Sequence, residues 1–195
     1  MPGTPRGAVC FGGPLSTEPF VSGTRFAALL GQGEVGPALR DELGQLGFEA
    51  EATREHYPVR VWVETTDAVR RAWFPSLPPQ PGFAAVGHRI IEGFLDKPAG
   101  AVINWLLPRL TAERAVVWAP RLLRLGRPGF DQMVTTTMKG ERHFLIRVAD
   151  DGPARQPLLV AGIFAAGLEK MGVQPQVTMG EQLPGGYEFE VRWEV

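Results

Sequence analysis

Apolar residues recur at three- and four-residue spacings between Val35 and Leu125, and from Val134 onward they alternate with polar ones. That change of period predicts helices first and strands afterwards. Leu39, Leu43 and Leu46 mark one helix, which Gly47 ends as a C′ glycine. A second begins at Tyr57-Pro58, with Pro58 in its first turn. It carries Trp62, Val63, Thr66, Val69 and Trp73 on one face, and Phe74-Pro75 stops it. Leu77-Pro78-Pro79-Gln80-Pro81-Gly82 reads as a rigid, exposed connector. Phe83 to Leu95 follows, with Phe83, Val86, Ile90, Ile91 and Phe94 toward the core, and then Ala99 to Leu107. Thr111 is the expected N-cap of the last helix in this block, and Pro120 should kink or split it. Before the block, Ala8-Val9-Cys10-Phe11 suggests a short strand, and Arg25 to Leu30 one or two helical turns ended by Gly31-Gln32-Gly33.

In the second part, Val134 to Thr137, a turn at Gly140, and alternating Phe144, Ile146 and Val148 predict a β-hairpin. Pro157 to Met171 is a strongly apolar helix followed by Gly172. Gln176 to Gln182 and Tyr187 to Glu194 predict two more strands around Gly185-Gly186. The expected fold is α+β: an N-terminal helical block, then a four-stranded antiparallel sheet in the order β-β-α-β-β with one covering helix. A chain of 195 residues suits one domain, mainly helical over 1–130 and sheet plus helix over 131–195.

Composition narrows the function classes. Twenty basic and 21 acidic side chains leave a net charge of -1. No cation surplus exists for sequence-independent nucleic-acid binding. Cys10 is the sole cysteine, which excludes an internal disulfide and a thiolate zinc site. The chain start lacks the apolar stretch of a signal peptide, and no run approaches the roughly 20 apolar residues of a membrane span. These features predict a cytoplasmic location.

Catalytic chemistry finds no foothold. His56, His88 and His143 lie far apart with no second histidine at i+3 or i+4, so no metal site is expected, and His88 reads as a partly exposed helix residue. Cys10 has no accompanying base motif and reads as a small buried hydrophobe. Asp150-Asp151 are turn residues that point apart, and neither Gly12-Gly13 nor Gly31-Gln32-Gly33 matches a phosphate-binding loop.

The order Ala8-Val9-Cys10-Phe11, Ala38-Leu39 to Gly47, Tyr57-Pro58, Trp73-Phe74-Pro75 and Gly87 to Phe94 resembles a myxobacterial paralogous family, domain of unknown function 2378. The Gly162 to Leu168 helix and the closing Tyr187 to Trp193 strand fit it too. Residues 13–33 match least and read as an insertion. More distantly, the closing strand–strand–helix–strand–strand order is similar to haem-nitric-oxide-binding (H-NOX) domains, 4-vinyl reductase domains and transport-particle subunits. That resemblance implies gas sensors, small-molecule sensors or scaffolds. H-NOX domains carry a haem-ligating histidine on the helix before the first hairpin and a Tyr-x-Ser-x-Arg clamp. Thr111 to Phe130 holds no histidine and the clamp is missing after Val148, so haem held in that way is not expected.

Two non-catalytic readings stay open. One is a sensor or binding module that holds a small, largely apolar ligand between helices and sheet, with Trp62, Phe94, Trp105, Trp118 and Phe164 as candidate pocket walls. The other is a homodimeric interaction or scaffold module without a ligand. Arg114, Arg121 and Arg124 lie in a stretch with Glu113 as its sole acid. They form either a solvated face with apolar stems on the core or an anion or acidic-partner patch. Gly162 and Gly167 on the last helix allow either tight packing or the close approach of a flat ligand.

Overall fold

The computed structural model describes residues 20–31, 33–50, 52–123, 134–149 and 156–194. Helical periodicity and alternation become elements much as their patterns dictate. Strand β1 (Phe20–Ser22) leads into α1 (Gly23–Leu30), followed by α2 (Pro37–Gln45), β2 (His56–Pro58), α3 (Val59–Trp73), α4 (Pro79–Leu95) and α5 (Pro98–Leu106). A 3-10 turn (Leu107–Arg109) joins α5 to α6 (Ala112–Leu123). The second part contains β3 (Val134–Gly140), β4 (His143–Val148), α7 (Pro157–Glu169), β5 (Gln174–Leu183) and β6 (Gly186–Glu194). Among the described residues this is a mixed architecture of seven helices and a four-stranded antiparallel sheet of order β3-β4-β6-β5.

Several local expectations need correction. Residues 20–31 are an integral part of the packed fold: β1 pairs with β2 through Val21↔Tyr57, and Phe26 and Leu29 of α1 are buried. Pro58 ends β2 and stands just before α3, because its missing N–H suits a strand end as well as a helix start. The proline-rich connector is shorter than its composition implies. Helix α4 already starts at Pro79, since first-turn N–H groups have no intrahelical acceptor to lose. Pro120 does not split α6, which runs unbroken from Ala112 to Leu123. Gly140 remains in β3, and the turn falls on Glu141 and Arg142, with Arg142 at φ 57°. The last hairpin likewise turns at Pro184-Gly185, with Gly185 at φ 75° and Gly186 paired to Leu183. The Ala8 to Phe11 strand, Cys10, Asp150-Asp151, Arg124 and Gln32 lie outside the described residues.

Helix α7 joins two cores. Leu159 and Ile163 pack into the helical cluster with Phe26, Trp62 and Val86, whereas Val160, Phe164 and Leu168 pack on the sheet with Phe144, Phe189 and Trp193. The opposite sheet face carries the buried Leu145 but is otherwise largely polar and charge-paired. Arg147 lies 2.9 Å from Glu188, and Arg192 lies 2.7 Å from Glu190.

Candidate functional site

Helices α1, α4, α5, α6 and α7 enclose a partly open cavity of about 120 Å³. Ala28 of α1, Ala115 and Ala119 of α6, and Gly167 of α7 contribute almost no side-chain volume to its wall. Protein interiors otherwise close such gaps, so facing small residues are what leave this one. At Gly167 a Cβ atom would find nothing within 4 Å. Ile90, Ile91 and Phe94 of α4, Ile103, Leu107, Val116, and Ile163, Phe164 and Leu168 of α7 supply the remaining apolar surface.

Thr24 and Arg25, in the first turn of α1, are the only wall residues with polar side chains among the described residues. The Thr24 hydroxyl lies 2.9 Å from that of Ser22, and the Ser22 side chain accepts the Thr24 backbone N–H at 3.3 Å. The Arg25 guanidinium sits 4.6 Å from the ring centre of Trp62. The described wall carries no acid. The chamber is apolar, with one polar and cationic margin. Its volume is close to the roughly 150 Å³ of an apolar protein cavity that takes benzene, and below the roughly 300–1,000 Å³ typical of drug-sized pockets.

Of the five aromatic residues expected at a pocket wall, the structure brings Phe94 and Phe164 to this cavity. Trp62 lies elsewhere, 1% exposed in the helical core and edge-on to Phe26 at 5.0 Å. Trp105 and Trp118 point outward and are 61% and 46% exposed. Trp118 is two residues from Val116, about 200° around the helix, so it must face away when Val116 faces in. Arg114 and Arg121 are exposed on the same outer side of α6. The small wall residues Ala28, Ala115 and Ala119 escape sequence reasoning, because alanine in a helix reads as filler. Their one signal is the i, i+4 pairing of Ala115 and Ala119 on the inner phase of α6. The floor of the cavity is α7 rather than the sheet itself. Gly162 presses on the backbone of α4 at Ala84, while Gly167 opens to the chamber.

The histidines serve other contacts. His56 lies edge-on to Phe20 at 4.5 Å, and His88 Nε2 is 2.7 Å from Glu169, linking α4 to α7. His143 Nε2 stands 3.2 Å from Glu190, whose carboxyl is held below its ordinary pKa chiefly by the hydrogen bond from Arg192. Among the described residues no three His, Cys, Asp or Glu side chains form a group suited to a metal ion. No helix there is long and apolar enough to cross a membrane.

A comparison with curated protein sequences returns no match. Solved structures do match. A mutant H-NOX protein from S. oneidensis in the Fe(II) ligation state superposes with a TM-score of 0.65 at 11% identity, over 89% of this chain and 96% of that one. The unliganded Fe(II) H-NOX protein from K. algicida gives 0.62 at 8% identity, over 89% and 97%. An oxygen-binding H-NOX domain related to soluble guanylate cyclases gives 0.62 at 10% identity, over 89% and 93%. At such identities the likeness is one of fold.

The described wall does not fit a haem. Haem iron takes His, Cys, Met or Tyr as its protein ligand, and the cavity presents none of these; α6 offers it Ala115, Val116 and Ala119. A family described as a protein of unknown function, DUF2378, matches residues 19–194. The chain belongs to that family, the DUF2378 proteins of unknown function, and has the α+β fold of H-NOX domains.

Proposed function

We propose that the protein is a non-catalytic sensor module that binds a small, largely apolar molecule in the chamber between α1, α4, α5, α6 and α7. One observation carries this reading: a partly open apolar cavity whose space is left by the short side chains of Ala28, Ala115, Ala119 and Gly167. Filling it with a larger side chain would be the ordinary outcome for a domain with no occupant. Fold neighbours with NO-ligated iron or bound oxygen support a role in holding small molecules. Here the occupant would be held by apolar contact rather than by iron.

A second reading is a homodimeric interaction module with no ligand. It is supported by Val102 and Trp105 on α5, which are 67% and 61% exposed. Native mass spectrometry of the gently purified chain, repeated after denaturation, separates the two. A mass excess that disappears on denaturation is expected for the sensor. A clean mass at twice that of the chain would replace it with the second reading.

A further inference from the structure

Helix α6 has two faces of opposite character. Ala115, Val116 and Ala119 line the chamber, whereas Arg114, Val117, Trp118 and Arg121 fall at i, i+3, i+4 and i+7 and are all exposed. Positions with that spacing share one side of a helix. Val117 and Trp118 are 50% and 46% exposed, so two large apolar side chains sit side by side in water with an arginine one turn before and one turn after. The Arg121 guanidinium lies 5.7 Å from the Trp118 ring centre.

We propose that this stripe is a docking site for an acidic helical segment of another protein. The residue types suit it, since tryptophan and arginine are the side chains that most often anchor protein interfaces. The charge selects the occupant. Glu113 is the one acid of α6; it borders the stripe one turn before Val117 and is half-buried, while both ends of the stripe are exposed arginines. A second copy applied through this face about a two-fold axis would bring Arg114 and Arg121 against like charges. A partner helix with carboxylates two turns apart, about 10 Å, would meet both guanidinium forks while its intervening apolar residues cover Val117 and Trp118. Arginine rather than lysine at both ends suits bidentate carboxylate recognition.

The test uses the full chain and two fluorescein-labelled helical peptides, one with a Glu-x-x-Leu-Leu-x-x-Glu stripe and one with Lys in place of both Glu. The acidic peptide should bind, more weakly at higher salt, and the basic one should not. Trp118→Ala should weaken the acidic peptide about tenfold or more. The double variant Arg114→Glu/Arg121→Glu should lose it and gain the basic peptide. All these positions are exposed, and circular dichroism checks that the variants fold. Equal binding of both peptides, no binding of either, or charge reversal without effect would overturn the proposal. Binding to vesicles containing phosphatidylserine but not to the acidic peptide would assign the stripe to a membrane surface. A dimer that Trp118→Ala dissociates would assign it to a second copy.

Discussion

Gly87 of α4 and Gly162 of α7 lie at one helix crossing, each pressed onto the other helix's backbone. A Cβ on Gly87 would collide with the carbonyl oxygen of Leu159, and one on Gly162 with that of Ala84. Only glycine allows two helices to approach so closely at both points. Gly87→Ala or Gly162→Ala should therefore lower stability by about 1–3 kcal/mol through overpacking, against the usual helix-favouring effect of alanine. Urea unfolding of both variants checks this, and an unchanged midpoint would contradict the crossing.

Gly167, five residues along the same helix, should behave in the opposite way. Its added Cβ meets open space, so Gly167→Ala should stabilise the helix by up to about 1 kcal/mol and raise the melting temperature. The contrast between Gly162 and Gly167 is more telling than either value alone.

Gly167→Leu and Ala115→Leu place bulk in the chamber. Both should keep the fold while abolishing any ligand-dependent mass excess or melting shift. Retention of ligand in both variants would move the binding site elsewhere.

Trp62→Ala should cost about 3–5 kcal/mol, as expected for a large aromatic removed from a closed core, whereas Trp105→Ala should stay within about 0.5 kcal/mol. Neither side chain touches the chamber. A ligand lost from Trp105→Ala with stability intact would place its site on the outer face of α5.

Glu190 offers a pH test. Its carboxyl is held low in the folded chain, first by the hydrogen bond from Arg192. A depressed folded pKa supplies stability above the ordinary glutamate value, and this is lost as pH falls through the folded value. Arg192→Gln should move the Glu190 titration upward, read by NMR of its side chain. Because the group is on the surface, the accompanying change in stability should be small.

The helices and strands with strong periodicity were legible from residues alone. Gly47 and Gly172 also announced helix ends, and both take positive φ, at 90° and 80°. The pairing of β1 with β2 left no such trace: three residues cannot show alternation, and the partner lies more than thirty positions away. The chamber was harder still. Large aromatics attract attention because they bury area, yet a cavity is made where side chains are short. Tertiary position then decided that Trp62 would close a core and that Trp105 and Trp118 would face water.

The glycine contacts also set how this protein can deform. Gly93 does for α1 what Gly87 and Gly162 do for α7, standing against the Ala28 backbone. Three helices are thus braced main chain to main chain, with no intervening side chains whose rotamers could yield. The alanine-lined helix α6 has no such brace at the chamber. A change in the internal volume should therefore be taken up more easily toward α6 than across α1, α4 and α7, which makes the expected response of the bundle directional.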